Sequence, residues 1–172
     1  MIWLVTGISA AGKSTVAQEL ATRFDRGVHV KGDVFRRMVV SGRDDDFTVP
    51  SEEAIAQLRL RYRLGASTAD AYATAGFDVV VQDVILGHHL QAYVDAIRTR
   101  PLHVIVLTPS PDVVVEREAG RGKTAYRNGY TPYDMHAALA DTPRLGLWLD
   151  TSGQTPAETV DELLSRRDES LL

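Results

Sequence analysis

The 172-residue chain contains no cysteine, which excludes a disulfide framework, a thiol nucleophile and a thiolate-based metal site. Nor does it contain a run of about 18 apolar residues, the length a membrane-spanning helix needs. A surplus of positive charge is also missing: 19 Lys and Arg face 23 Asp and Glu, for a formal charge of −4. A broad nucleic-acid-binding face needs clustered cations to neutralise phosphates, so this balance argues against one while leaving room for a local basic site. An apolar run, Ile2-Trp3-Leu4-Val5, follows Met1 at once. That leaves no place for a leader peptide, and a cytoplasmic protein is expected. The 44% of hydrophobic residues can bury one substantial core, so a single domain over residues 1–172 is expected.

What is present begins immediately after that run. Residues 7 to 15 read Gly-Ile-Ser-Ala-Ala-Gly-Lys-Ser-Thr, the spacing G-x-x-x-x-G-K-[ST] between a predicted buried strand and a helix predicted from Ser14 to Phe24. Gly7 and Gly12 let the backbone turn tightly, so that successive N–H groups from Gly7 through Ser9, Ala10, Ala11, Gly12 and Thr15 can face a polyphosphate at a helix N-terminus. Lys13 would reach the β- and γ-phosphates, and the Ser14 hydroxyl would ligate Mg²⁺. This segment predicts binding of a nucleoside triphosphate.

The rest of the chain alternates strands and helices without repeats or low-complexity linkers. Strands are predicted at Gly27 to Lys31, Phe77 to Asp83, Leu102 to Leu107 and Gly146 to Asp150. Ser51 caps a long helix with Glu52 and Glu53 in its first turn, and Ile55, Leu58, Tyr62, Ala66 and Ala69 share one face. Leu90 to Ile97 is a further helix. Pro111 and Pro156 each open one at the position where proline fits best. Such alternation predicts a layered α/β fold with a parallel sheet, whose ligands lie beyond the carboxyl ends of the strands.

Three features gather at that edge. Asp83 ends its strand where a Mg²⁺-binding carboxylate would stand, either in direct contact or through water, and a helix N-cap is its other reading. Asp33 and Arg36 follow the second strand three residues apart, which puts a proton acceptor beside a phosphate or substrate clamp if a helix begins there. An N-cap aspartate with a solvated arginine is the alternative. Arg117 and Arg121 flank the end of a helix before Gly120 and Gly122, as a mobile lid that brings positive charge to a reacting phosphate would require. The alternative there is a solvated helix with Glu/Arg pairs. Asp44-Asp45-Asp46 reads as a solvated loop that could face a cation. Arg59, Arg61 and Arg63 could meet an anion, but Arg59 and Arg63 share a helical face and a surface role is expected.

The order of these features resembles the small P-loop kinases of the nucleoside-monophosphate and shikimate kinase type. Within them it is most similar to chloramphenicol phosphotransferase-like proteins, whose apolar strand ending Asp-Val-x-Leu-Gly compares with Asp83-Val84-Ile85-Leu86-Gly87. The resemblance spans nearly the whole chain, with the P-loop as its specific motif. It implies a three-layer P-loop NTPase fold: a five-stranded parallel sheet in the order 2-3-1-4-5, helices on both faces and an arginine-bearing lid over about 117–131. It implies ATP and Mg²⁺, with Asp33 as the base for the acceptor hydroxyl, Arg117 and Arg121 as lid arginines, and Thr151 to Gln154 beside the adenine. The implied reaction moves the γ-phosphate to a hydroxyl of a small molecule, which this branch suggests is an antibiotic. One departure stands out. Shikimate kinases carry Asp-x-Asp after the second strand, whereas this chain has Val30-Lys31-Gly32-Asp33, which argues against shikimate. Two other readings stay open. A polynucleotide 5′-hydroxyl kinase uses the same Asp-x-x-Arg, though the charge of −4 weighs against it. A nucleotide-binding regulatory switch is the second, although the chain has no Asn-Lys-x-Asp guanine-reading segment.

Overall fold

The structure, a computed structural model, describes residues 1–45, 49–120, 126 and 131–172. Its centre is β1 (Ile2–Gly7), in which every residue is buried. A strand covered on both faces should read as a continuous apolar run, and this one does. It pairs in parallel with β3 (Asp78–Gln82) on one side and with β4 (Leu102–Leu107) on the other. β2 (Gly27–Lys31) adds to β3 and β5 (Leu147–Leu149) adds to β4, also in parallel. The sheet order is therefore β2-β3-β1-β4-β5, as expected from the resemblance.

Helices surround the sheet. α1 (Lys13–Ala21) packs on β3 and on α7 (Pro156–Ser165), while α3 (Glu52–Thr74) packs on β3, on α2 (Gly32–Met38) and on α4 (His89–Ala96). Local chemistry sets their ends. The Ser51 hydroxyl accepts from the Ala54 N–H to start α3, and Thr155 with Glu158 forms a reciprocal capping box ahead of Pro156 at the start of α7. At the start of α5 (Pro111–Ala119) the Ser110 hydroxyl accepts from the Val113 N–H and Pro111 takes the first helical position. Two short helices have no counterpart in the sequence reading: α6 (Pro132–Ala137) and α8 (Arg167–Ser170). α8 packs against β4, where His103 stacks on Trp3 with ring centroids 4.0 Å apart and its Nδ1 lies 2.9 Å from the Ser170 hydroxyl. No helix among the described residues is long and apolar enough to cross a membrane.

The topology places the site. From β1 the chain crosses to β2 and β3 on one side and later to β4 and β5 on the other, so the order reverses at the carboxyl end of β1. Ligands of open parallel sheets bind at that switch point.

One buried carboxylate ties the opposite edge together. Asp70, near the end of α3, accepts from the backbone N–H groups of Arg98 and Thr99 at 2.9–3.2 Å, in the loop that leads into β4. Burial alone would raise the Asp70 pKa, but those N–H donors and the nearby Arg98 charge hold it below the ordinary carboxylate value. A carboxylate with a depressed folded-state pKa stabilises the fold above its unfolded value near 3.9, and that contribution vanishes as the pH falls through the folded value. Asp70→Ala is therefore expected to cost about 2 kcal/mol at neutral pH. The gap from wild type should narrow as the pH falls below about 3.9, as urea unfolding over a series of pH values from neutral into acid will test.

Candidate active site

Between β1 and α1 the chain makes the glycine-turned loop anticipated from its sequence. Gly7 has φ +141°, and a Cβ there would sit 2.5 Å from the Leu107 carbonyl oxygen, so no larger residue fits where the loop leaves the sheet. Ala10 lies in the left-handed region at φ +60°, and Gly12 at φ +93° is the N-cap of α1 without any side-chain cap. The first N–H groups of α1 are thereby left to a ligand. Lys13 is buried and its Nζ donates to the Ile8 carbonyl at 2.6 Å, which folds the side chain back over the loop. Ser14 is exposed on the first turn.

A groove of about 340 Å³ opens from this loop, bounded by Ala10 to Val16 on one side and by Arg117, Thr151 and Gln154 on the other. Arg117 spans it. The guanidinium donates to the Thr151 carbonyl at 2.8 Å and to the Ala11 carbonyl at 3.4 Å, joining the loop after β5 to the phosphate loop. Tyr126 reaches the same loop, its hydroxyl donating to the Ser9 carbonyl at 2.7 Å. The Thr151 hydroxyl is buried without a hydrogen-bond partner among the described residues, a polar atom left over at the groove wall. Arg121 and most of the anticipated lid over 117–131 lie outside the described residues.

Next to Lys13, at the end of β3, the structure departs from the sequence reading. Asp83 is fully buried and its carboxylate is forked by Arg61: Nε donates to Oδ2 at 2.7 Å and Nη2 donates to Oδ1. Oδ1 also accepts from the Val84 N–H at 2.7 Å. Only 14% of the Arg61 side chain and 1% of that of Asp83 remain exposed, so the surface role expected of Arg61 is wrong. Burial opposes the Arg61 charge, but the attraction and hydrogen bonds of Asp83 outweigh it and raise the guanidinium above its ordinary value. Burial pushes the Asp83 carboxyl upward against the pull of Arg61, Val84 and Lys13. Gly32 makes this packing possible, because a Cβ there would fall 1.9 Å from Asp83 Oδ2.

Asp33 stands in the first turn of α2, but the N-cap is Lys31 and no side chain caps the helix, which removes the capping role as its explanation. Its Oδ1 instead accepts from Arg36 Nε at 3.0 Å, and Oδ2 lies 3.1 Å from Arg37. Arg36 also pairs with Asp45. The charges of Asp33 and Arg61 are close enough to interact. Lys13, Asp83, Arg61, Asp33, Arg36 and Asp45 thus form a row of alternating sign from the phosphate loop to the gap between α2 and α3. Of the expected acidic loop, Asp44 accepts from the Ser51 hydroxyl at 2.5 Å, and Asp46 lies outside the described residues.

A phosphate loop opening a helix at the switch point of a 2-3-1-4-5 parallel sheet defines the P-loop class of nucleotide-binding folds. The profile of the family described as AAA domain matches residues 2–141, and the chain belongs to that family. No curated protein sequence matches it. Among solved structures, a sugar kinase from a Janibacter species is similar at 21% identity over 98% of this chain and 95% of its own, with a TM-score of 0.67. The tunicamycin resistance protein of Deinococcus radiodurans is similar at 16% identity over 99% and 96%, also with a TM-score of 0.67. A gluconokinase from Sinorhizobium meliloti follows at 20% identity over 96% and 90%, with a TM-score of 0.64. At such identities the likeness shows the fold, which is that of the small P-loop kinases.

Proposed function

We propose that the chain is an ATP-dependent phosphotransferase, one domain over residues 1–172, that moves the γ-phosphoryl group to a hydroxyl of a small molecule. The observation that carries this reading is the placement of two kinds of chemistry at one sheet edge. An anion-binding loop with Lys13 lies at the end of β1, and an Asp33–Arg36 pair lies at the end of β2, with Arg36 on the wall of a cavity. Loop amides and Lys13 hold the triphosphate, while Asp33 aligns the acceptor hydroxyl and takes its proton. In this reading Arg117, which donates to the carbonyls of Ala11 and Thr151, turns toward phosphate oxygens, and Arg121 is the second lid arginine.

The residues present fit Mg²⁺. Ser14 offers an exposed hydroxyl at the mouth of the loop. Asp83 has three N–H donors on roughly four lone-pair positions, so it suits a contact through water better than a direct one. When bound, the cation would screen the charge of the phosphates.

The test is ATP consumption with Mg²⁺ across a panel of hydroxylated molecules, including sugars, sugar acids and hydroxylated antibiotics, with the product identified by mass spectrometry. At least one acceptor is expected to raise consumption about tenfold or more above the acceptor-free rate. Slow hydrolysis that no acceptor changes would replace the kinase by a nucleotide-dependent switch. Labelling of an oligonucleotide 5′ end alone would point to a polynucleotide kinase.

A further inference from the structure

The cavity between α2 and α3 has a volume of about 170 Å³. Its apolar lining is Phe35, Met38, Val39, Leu58, Leu60 and Leu64, with Met38, Leu60 and Leu64 also exposed at its rim. An apolar cavity of about 150 Å³ is large enough to take up benzene.

The polar groups of the same cavity are already answered from within the chain. Arg36 pairs with Asp33 and Asp45, and Asp45 also lies 3.4 Å from Arg43. Asp44 accepts from the Ser51 hydroxyl, and Arg61 is forked onto Asp83. Gln57 donates to the Gly42 carbonyl at 2.8 Å and to Glu53 at 2.6 Å, and accepts from the Asp44 N–H at 3.1 Å. An anionic guest would have to draw Arg36 or Arg61 off its carboxylate, leaving that carboxylate uncompensated. A cationic guest at Asp45 would have to draw that carboxylate off Arg36 and Arg43, leaving them uncompensated. A neutral apolar body disturbs none of these pairs, and it covers leucine and phenylalanine surface that is otherwise wet.

We infer that the acceptor is a neutral alcohol whose non-reacting body is apolar and about the bulk of a benzene ring. The body enters between α2 and α3 and its hydroxyl points toward Asp33. This rests on the phosphotransferase reading only for the fate of the hydroxyl.

The test compares cyclohexylmethanol with two analogues that carry a carboxylate or an ammonium across the ring from the hydroxymethyl group. Binding is measured by calorimetry and by thermal shift, and phosphorylation by ATP consumption. The neutral alcohol is expected to bind at least about tenfold more tightly than either charged analogue. Leu64→Asp and Leu60→Asp, both at exposed positions and so expected to fold, should each weaken it about tenfold while the ATP-induced rise in melting temperature persists. Equal or tighter binding of a charged analogue, absence of binding by all three, or indifference to both substitutions overturns the inference. Binding in the expected order without ATP consumption supports the cavity assignment and counts against the phosphotransferase reading, so the two can fail separately.

Discussion

Lys13→Ala is expected to remove phosphoryl transfer almost completely. The side chain is the one cation within residues 7–15, and its Nζ donates to the Ile8 carbonyl at 2.6 Å, a contact that the proposed function has it exchange for phosphate oxygens. Loss of a single preorganised donor to developing charge costs roughly 10²–10³ in turnover. The fold should tolerate the change. One backbone-directed hydrogen bond is worth about 1 kcal/mol, or about 2–4 °C in melting temperature for a chain of this size. Thermal shift separates binding from folding. ATP with Mg²⁺ at 100 times its dissociation constant adds about 2.7 kcal/mol to a protein that binds it. If wild type and Lys13→Ala are stabilised equally, the loop is not a triphosphate site.

The second large effect is expected at Asp33. Asp33→Asn preserves shape and hydrogen bonding to Arg36 but removes the negative charge, so acceptor phosphorylation should fall by about 10² or more. ATP-induced stabilisation should survive. The pair with Arg36 is well exposed, with 42% of the Asp33 side chain open to solvent, and exposed pairs contribute only about 0–1 kcal/mol. Melting temperature should therefore barely move while turnover collapses. Turnover near that of wild type in this variant would take the carboxylate out of the reaction.

The parts of this site that were legible in the sequence are those in which backbone geometry forces a residue type. Gly7 and Gly12 sit at positive φ, and the spacing between them announces the loop. Ser51, Ser110-Pro111 and Thr155-Pro156 mark helix starts because capping uses few residue types. β1, β3 and β4 were readable because parallel strands covered on both faces carry continuous apolar runs.

Arg61 was missed because its partner is 22 residues away in sequence and joined to it only by the packing of α3 on β3. Two signals pointed there. Arg61 falls three residues after Leu58 and four before Gly65, on the inward side of the helix. Gly32, just before Asp33, has no turn to make and marks the close approach to Asp83. α6 escaped notice because it has no buried residue and hence no apolar period, although Thr131-Pro132-Tyr133-Asp134 repeats the capping grammar of Thr155-Pro156-Ala157-Glu158. A reading by hydrophobic period alone cannot find such a helix.

The row of alternating charges from Lys13 to Asp45 also sets how the site responds to ionic strength. Added salt acts unevenly along the row. Arg36 and Asp45, each about a third exposed, lose much of their attraction, while Arg61 and Asp83 sit where counterions do not reach. The Arg36–Asp45 end of the row therefore weakens with salt while the Arg61–Asp83 end keeps its attraction, so added electrolyte acts on the gap between α2 and α3.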